Sequence, residues 1–227
     1  MLNWKKHKVL MVQILKKIYE NKFLRVTLGF KGGTAGHFFY ELPRYSVDLD
    51  FDLLAIDKKE EVFDQIKLLL SKYGQIKDQK IKQNTIFFII SYGGLEHNIK
   101  VEISTRNWGN TFVLKNYFGI AMRVITPEDM FANKLIALTG RVKFASRDVF
   151  DVYYFFSSGW DINEEIIKKH TGVYLEKYLK SCVTFLQENQ NKNILQGLGE
   201  LLDEKQKNWV KNNLVKDLIF LIKALEN

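Results

Sequence analysis

The run Val47-Asp48-Leu49-Asp50-Phe51-Asp52-Leu53 alternates apolar and acidic side chains. In a strand, alternate side chains point to opposite faces. Val47, Leu49, Phe51 and Leu53 then share one face, and Asp48, Asp50 and Asp52 share the other. Neighbouring carboxylates on that face stand about 7 Å apart, the span of two strand steps. Aspartate is a poor strand former, and like charges side by side repel. A cation offsets the repulsion. Hard divalent ions such as Mg²⁺ take one or two carboxylates together with substrate phosphates. A pair of such ions clamps the attacking and leaving oxygens of a phosphoryl transfer. The competing account is a solvated acidic edge strand. Lys100-Val101-Glu102-Ile103-Ser104 alternates as well, with Glu102 on its polar face. If this strand lies beside the aspartate strand, Glu102 joins Asp48 and Asp50; otherwise it is an ordinary surface glutamate.

Other residue groupings also carry chemistry. Lys31-Gly32-Gly33-Thr34 falls between a predicted strand and a predicted helix. Glycines let the backbone approach a phosphate closely, the helix N-terminus offers free N–H groups, and Thr34 adds a hydroxyl. No Gly-Lys-Ser/Thr follows, so this is not a Walker loop. Lys134 lies about two turns into a predicted helix, at the border of a stripe formed by Phe131, Leu135 and Leu138. It is either a cation aimed at a triphosphate or a snorkelling lysine. Asp148 and Asp151, three residues apart, share a helix face. The helix dipole accounts for Asp148 near a helix start. Asp151, among Phe150, Val152, Tyr153 and Tyr154, asks for a partner: Lys134, Arg147 or a nucleotide group. His37 reads as a catalytic base or as packing. His7, His97 and His170 have no zinc spacing. Arg106-Asn107-Trp108 offers planar faces for a base or for packing. The single cysteine, Cys182, reads as a small helix-face residue.

These residues need elements to position them. Periodicity predicts a helix over 4–19, with Val9, Leu10, Val12, Ile14, Leu15 and Ile18 as its apolar positions. It predicts a strand over 25–30, a short helix over 35–42 ended by Pro43, the aspartate strand over 47–53 and a helix over 58–72. Strands follow over 75–81, 86–92, 99–105 and 120–125, with Gly93-Gly94 marking a turn. Thr126-Pro127-Glu128-Asp129 is a strong helix start, with threonine as N-cap and acids in the first turn. Nearly everything after it reads as helix, with breaks near Gly140, Ser158-Gly159, Thr171-Gly172 and Gly197 to Gly199. The fold class is therefore α/β (α+β): a mixed sheet flanked by helices over 1–126, then a helical bundle over 127–227.

The bulk composition agrees with a folded chain. Of 227 residues, 46% are hydrophobic and 14% aromatic, enough for a substantial core. No apolar run reaches the roughly 20 residues that span a bilayer, and no signal-peptide pattern opens the chain. A soluble cytoplasmic protein with no membrane partner is the expectation. The net charge of +8 attracts polyanions such as RNA. Lys168-Lys169 and the lysines from Lys205 to Lys223 are either phosphate contacts or a solvated face.

The order of the motifs carries a resemblance. A Gly-Gly-Thr loop opening a helix, then Arg44, Ser46 and Asp48-Leu49-Asp50, then a later strand acid, is similar to the DNA polymerase β-like nucleotidyltransferase superfamily. Lys31-Gly32-Gly33-Thr34-Ala35, Arg44 to Phe51, Asn133 to Leu138 and Arg147 to Tyr153 together resemble the AbiEii/AbiGii toxin family, covering most of residues 29 to 155. The third acid departs from the usual pattern, being Glu102 rather than aspartate. The resemblance implies a nucleotidyltransferase core over 1–126 and a helical domain over 127–227 that closes the active-site cleft. It implies transfer of a nucleoside monophosphate from a nucleoside triphosphate (NTP) to an acceptor, often the 3′ end of tRNA, by the toxin of a toxin–antitoxin pair. Its cofactor would be Mg²⁺ (or Mn²⁺) at Asp48, Asp50 and Glu102. Lys31, Gly32, Gly33, Thr34, Arg44, Ser46, Asp148 and Asp151 would bind the nucleotide, and Lys134 would act with Asp48, Asp50 and Glu102 in catalysis. A non-catalytic nucleotide or RNA binder and a metal-dependent nucleotide hydrolase are the alternatives.

Overall fold

A computed structural model describes residues 3–93, 98–141 and 143–225. Gly94 of the expected turn, and His97, lie outside the described residues. The chain divides into two units. The first comprises Met1–Glu41, Ser46–Asn107 and Thr111–Ile125; the second comprises Leu42–Tyr45, Trp108–Asn110 and Thr126–Asn227.

In the first unit, helix α1 (Trp4–Glu20) is capped by Asn3, whose side chain accepts the Lys6 N–H at 3.0 Å. Its buried stripe is His7, Met11, Ile14, Leu15, Ile18 and Tyr19, at helical spacing. Val9, expected among the apolar positions, is 51% exposed because it sits two residues off that stripe. The strand expected from Arg25 starts later. Leu24–Thr27 form a single helical turn, α2, because the Asn21 side chain accepts the N–H groups of Phe23 and Leu24 at 2.9 and 3.0 Å. Strand β1 is Leu28–Lys31, and helix α3 (Gly32–Phe39) follows with no intervening loop. Then come β2 (Asp48–Leu53), α4 (Lys59–Leu70), β3 (Gln75–Lys82), β4 (Thr85–Ser91), β5 (Asn98–Ser104), β6 (Phe112–Tyr117) and β7 (Ile120–Ile125).

Among the described residues the strands form one seven-stranded sheet in the order β3-β4-β5-β2-β1-β7-β6. It is mixed: β2 runs antiparallel to β1 and parallel to β5, and β1 runs parallel to β7. The apolar halves of the alternating strands make the core. Leu49, Phe51, Phe88, Val101 and Ile103 are fully buried. The Phe30 and Phe51 rings lie 5.3 Å apart across β1 and β2, and Phe63 of α4 stacks on Phe88 at 4.9 Å. Strand β6 has no clear sequence signal. It is an edge strand with Leu114 72% exposed, so it never needed the alternation that betrays a half-buried strand.

The second unit is helical: α5 (Pro127–Gly140), α6 (Ser146–Ser157), α7 (Glu164–Thr171), α8 (Leu175–Glu188) and α9 (Glu204–Ala224). Thr126 sits at the N-cap of α5 with Pro127 behind it, but makes no side-chain capping bond. Asp129 of that first turn is buried and accepts from the Asn163 amide at 2.6 Å. The segment Leu42–Tyr45 is held through its main chain: Tyr45 donates its N–H to the Leu201 carbonyl at 3.0 Å, and the Gln206 side chain donates Nε2 to the Pro43 carbonyl at 2.5 Å.

Candidate active site

The carboxylate face belongs to the first unit, and strand register builds it. The strands β2 and β5 pair in parallel with Asp48 opposite Lys100, Asp50 opposite Glu102 and Asp52 opposite Ser104. The Glu102 strand does lie beside the aspartate strand, so Glu102 neighbours Asp50 on the same face. On the other side, Lys31 of β1 stands opposite Asp50 and pairs its ammonium with buried Asp52 at 2.5 Å. Lys100 forms an ion pair with Glu102. Burial, with Asp48 and Glu102 as close neighbours, pushes the Asp50 carboxyl up to about 6.

The glycine loop is shaped by the same carboxylate. Gly32 has φ +78°, and a Cβ there would run into the Asp50 carboxylate. Thr34 is fully buried and donates its hydroxyl to the Asp48 carbonyl, tying the start of α3 to the start of β2. In this structure Thr34 is therefore a brace. His7 is also buried and links the Tyr92 hydroxyl to the Val47 carbonyl, the latter at 3.0 Å, which anchors the chain entering β2. Ser46 is half-buried, two residues before β2. We expect Gly32→Ala to cost about 1–2 kcal/mol for left-handed backbone alone, and to displace Asp50. Gly140→Ala is the control, since a Cβ there meets nothing. Thermal melts of both variants check this; equal melting temperatures would show that Gly32 is not constrained.

The second unit carries a separate charge cluster. Arg44 is buried and forked onto buried Asp151, Nε to Oδ1 at 2.5 Å and Nη2 to Oδ2 at 2.6 Å. Lys134 Nζ reaches Asp148 and Asp151, each at 2.8 Å, and Arg141 Nε meets Asp148 at 2.6 Å. Burial alone would raise the Asp151 carboxyl, but Arg44 and Lys134 hold it below its ordinary value. Burial likewise opposes the Lys134 charge, and Asp148 and Asp151 hold its ammonium above the usual range. So Asp151 finds Lys134, as one reading of the sequence has it, and also Arg44. Arg147 is not its partner in any ion pair of the described residues.

The remaining candidates have structural surroundings. Trp108 packs on His170, ring centroids 4.1 Å apart, with His170 Nε2 3.0 Å from the Trp108 carbonyl. His37 lies beside the Phe38 ring at 5.7 Å. Cys182 is fully buried, and burial pushes its thiol up to about 12, so no thiolate is available near neutral pH. The sequence assigns Lys100 no role and presents Asp52 only as one of three carboxylates in a row on a strand face. The signal for Lys100 was its two-residue spacing from Glu102, which puts both on one strand face.

The donor set fits a divalent cation. Asp48, Asp50, Asp52 and Glu102 share the face with Lys31 and Lys100, four carboxylates against two ammoniums, leaving two negative charges. Among the described residues no group of three or more His, Cys, Asp and Glu is gathered to hold a metal ion. A Mg²⁺ ion needs only one or two carboxylates when substrate phosphates and water complete its shell.

The model of a family described as nucleotidyl transferase AbiEii toxin, type IV TA system, matches residues 13–217. A protein from H. pylori, assigned provisionally as a nucleotidyltransferase, superposes on 100% of this chain and 99% of its own with TM-score 0.59 and 19% identity. JHP933 from Helicobacter pylori covers 100% of this chain and 94% of its own with TM-score 0.58 and 20% identity. At these identities the two structures speak for the fold alone. No curated protein matches the chain.

Proposed function

The chain belongs to the AbiEii family of nucleotidyl transferase toxins of type IV toxin–antitoxin systems, and from that premise we propose that it moves a nucleoside monophosphate from an NTP onto RNA. The observation that carries the reading is the in-register pairing of β2 and β5, which sets Glu102 beside Asp50 while Gly32 lies against the same carboxylate. Asp48 and Asp50 would hold Mg²⁺ or Mn²⁺, with Glu102 assisting. A bound divalent ion supplies Lewis-acid stabilisation of phosphoryl oxygens and lowers the pKa of a coordinated hydroxyl.

The protein's own groups do the positioning. Gly32 and Gly33 open α3, so unpaired N–H groups at that helix start suit a phosphate. Gly32, lacking a Cβ, lets Asp50 stand against the loop. Thr34 sets the loop's height on β2, and Lys31 pairs with Asp52. In the second unit, Arg44, Lys134 and Arg141 oppose Asp148 and Asp151, leaving one surplus positive charge in that cluster. Lys134, 16% exposed while both partners are buried, is its candidate for stabilising the leaving pyrophosphate. Arg44 would act by orienting Asp151, which in turn holds Lys134. No protein nucleophile is required.

RNA as acceptor is supported by the net charge of +8 and by the lysines of α7 and α9. The 3′ end of tRNA is the acceptor we favour, the family supports an antitoxin as partner, and a cytoplasmic reaction is part of the proposal. No helix among the described residues is long and apolar enough to cross a membrane. The direct test incubates the protein with total RNA, Mg²⁺ and each labelled triphosphate in turn. Label in RNA supports transfer; label only in free monophosphate would indicate a hydrolase, and unchanged triphosphate a binder. RNA binding should weaken with salt at a log–log slope of about −0.7 per phosphate contact. Replacing Lys168 and Lys169 together should flatten that slope while triphosphate affinity holds. Absence of RNA binding at low salt would remove RNA from the proposal.

A further inference from the structure

Lys100 has no assigned role, yet it stands where a cation is wanted. It is opposite Asp48 in the β2–β5 register, two residues from Glu102 on the same face, and ion-paired with that carboxylate. Asp48 and Asp50 also act on its charge. Its side chain is 39% exposed, so the ammonium is free to swing into solvent on its four-carbon stem. Lys31, the other lysine of this face, is committed to buried Asp52 and is 21% exposed. The two lysines therefore differ in kind: one is locked, the other releasable.

We propose that Lys100 is the resident counter-ion of the carboxylate face, holding Glu102 and screening Asp48 and Asp50 until a divalent cation displaces it. The proposal rests on the metal assignment made above and adds a competitor to it. Without Lys100 the metal-free face would lose one positive charge and Glu102 its ion pair, which disfavours the empty protein. With a divalent ion present, the ammonium would be one positive charge too many beside it. Lys100 is thus a positioning residue that sets how tightly the metal binds and keeps Glu102 in place before it does.

The test measures Mn²⁺ binding by electron paramagnetic resonance for the full chain, comparing wild type with Lys100→Met, Lys100→Gln and Lys100→Arg. Removing one positive charge paired with a candidate ligand carboxylate should tighten Mn²⁺ by about tenfold in Lys100→Met and Lys100→Gln, and lower their metal-free melting temperatures. Lys100→Arg should keep both properties near wild type. In the wild-type protein, Mn²⁺ should increase acetylation of Lys100 by acetic anhydride, read by mass spectrometry, because the ammonium is released. This arm needs no variant to fold. If wild type binds Mn²⁺, Asp50→Asn abolishes the binding, and the Lys100 variants and Lys100 acetylation are unchanged, the counter-ion role is wrong and the metal site stands. If Mn²⁺ binds neither wild type nor the Lys100 variants, the metal assignment and this proposal fall together.

Discussion

Asp48→Ala and Asp50→Ala should each lower nucleotide transfer by more than about a hundredfold, the scale of losing a group that stabilises transition-state charge, while the protein stays folded. Burial and the proximity of Asp48 and Glu102 raise the Asp50 carboxyl to about 6, against about 3.9 in an unfolded chain. The folded state binds that proton more tightly than the unfolded state. Ionising Asp50 therefore costs stability progressively as pH rises from about 4 to about 6, and the whole cost is present above that window. Asp50→Asn removes the charge, so the metal-free variant should be more stable than wild type above pH 6, by up to about 3 kcal/mol for a shift of this size, and little changed near pH 4. Urea titrations at both pH values, in chelator, measure this. Saturating Mg²⁺ should close the gap by stabilising wild type alone. A variant that transfers nucleotide at the wild-type rate would refute the site, and one destabilised at high pH would refute the repulsion.

Arg44→Ala should destabilise the protein by about 3–5 kcal/mol, the usual cost of leaving one member of a buried ion pair behind. Arg44 and Asp151 are both buried and joined by two short hydrogen bonds. Lys134 still touches Asp151 in the variant, so the carboxylate keeps one partner. That makes the double variant informative. Arg44→Ala with Asp151→Ala should lose less than the sum of the two single changes, because the second removes the charge that the first left stranded. The folded carboxyl of Asp151 is held low, so its stabilising effect is present above the unfolded pKa and is lost as pH falls through the folded one. The Arg44→Ala deficit should accordingly be full at neutral pH and shrink in acid. Urea unfolding of all four proteins supplies the cycle. A single-variant loss under about 1 kcal/mol would make the pair behave like an exposed one, and Arg44 would then be free for the nucleotide.

What the sequence determined by itself was chiefly what local alternation and order can encode. The side-chain period of a strand sorted Leu49 and Phe51 from Asp48 and Asp50, and the apolar half became core. The same period gave Val101 and Ile103 to the core and left Glu102 on the polar face. The sequence of motifs, from Lys31 to Asp151, pointed to the family to which the chain belongs. Helix starts with their own chemistry, such as Pro127 with Glu128 and Asp129, were also legible. Long-range pairing was not, because no local property of 98–104 names its neighbour. Only the sheet decided that β5 lies parallel to β2 with Glu102 at Asp50, and that Lys100 is thereby brought to the acids. Only the folded helical unit decided that Arg44 belongs with Asp151, 107 positions away. An arginine near a glycine loop invites a phosphate, but a fully desolvated carboxylate binds it more insistently. Edge strand β6 and the helical turn at Leu24 escaped for the opposite reason. One needs little burial and the other is held by the Asn21 side chain, so neither leaves a hydrophobic period in the residues that form it.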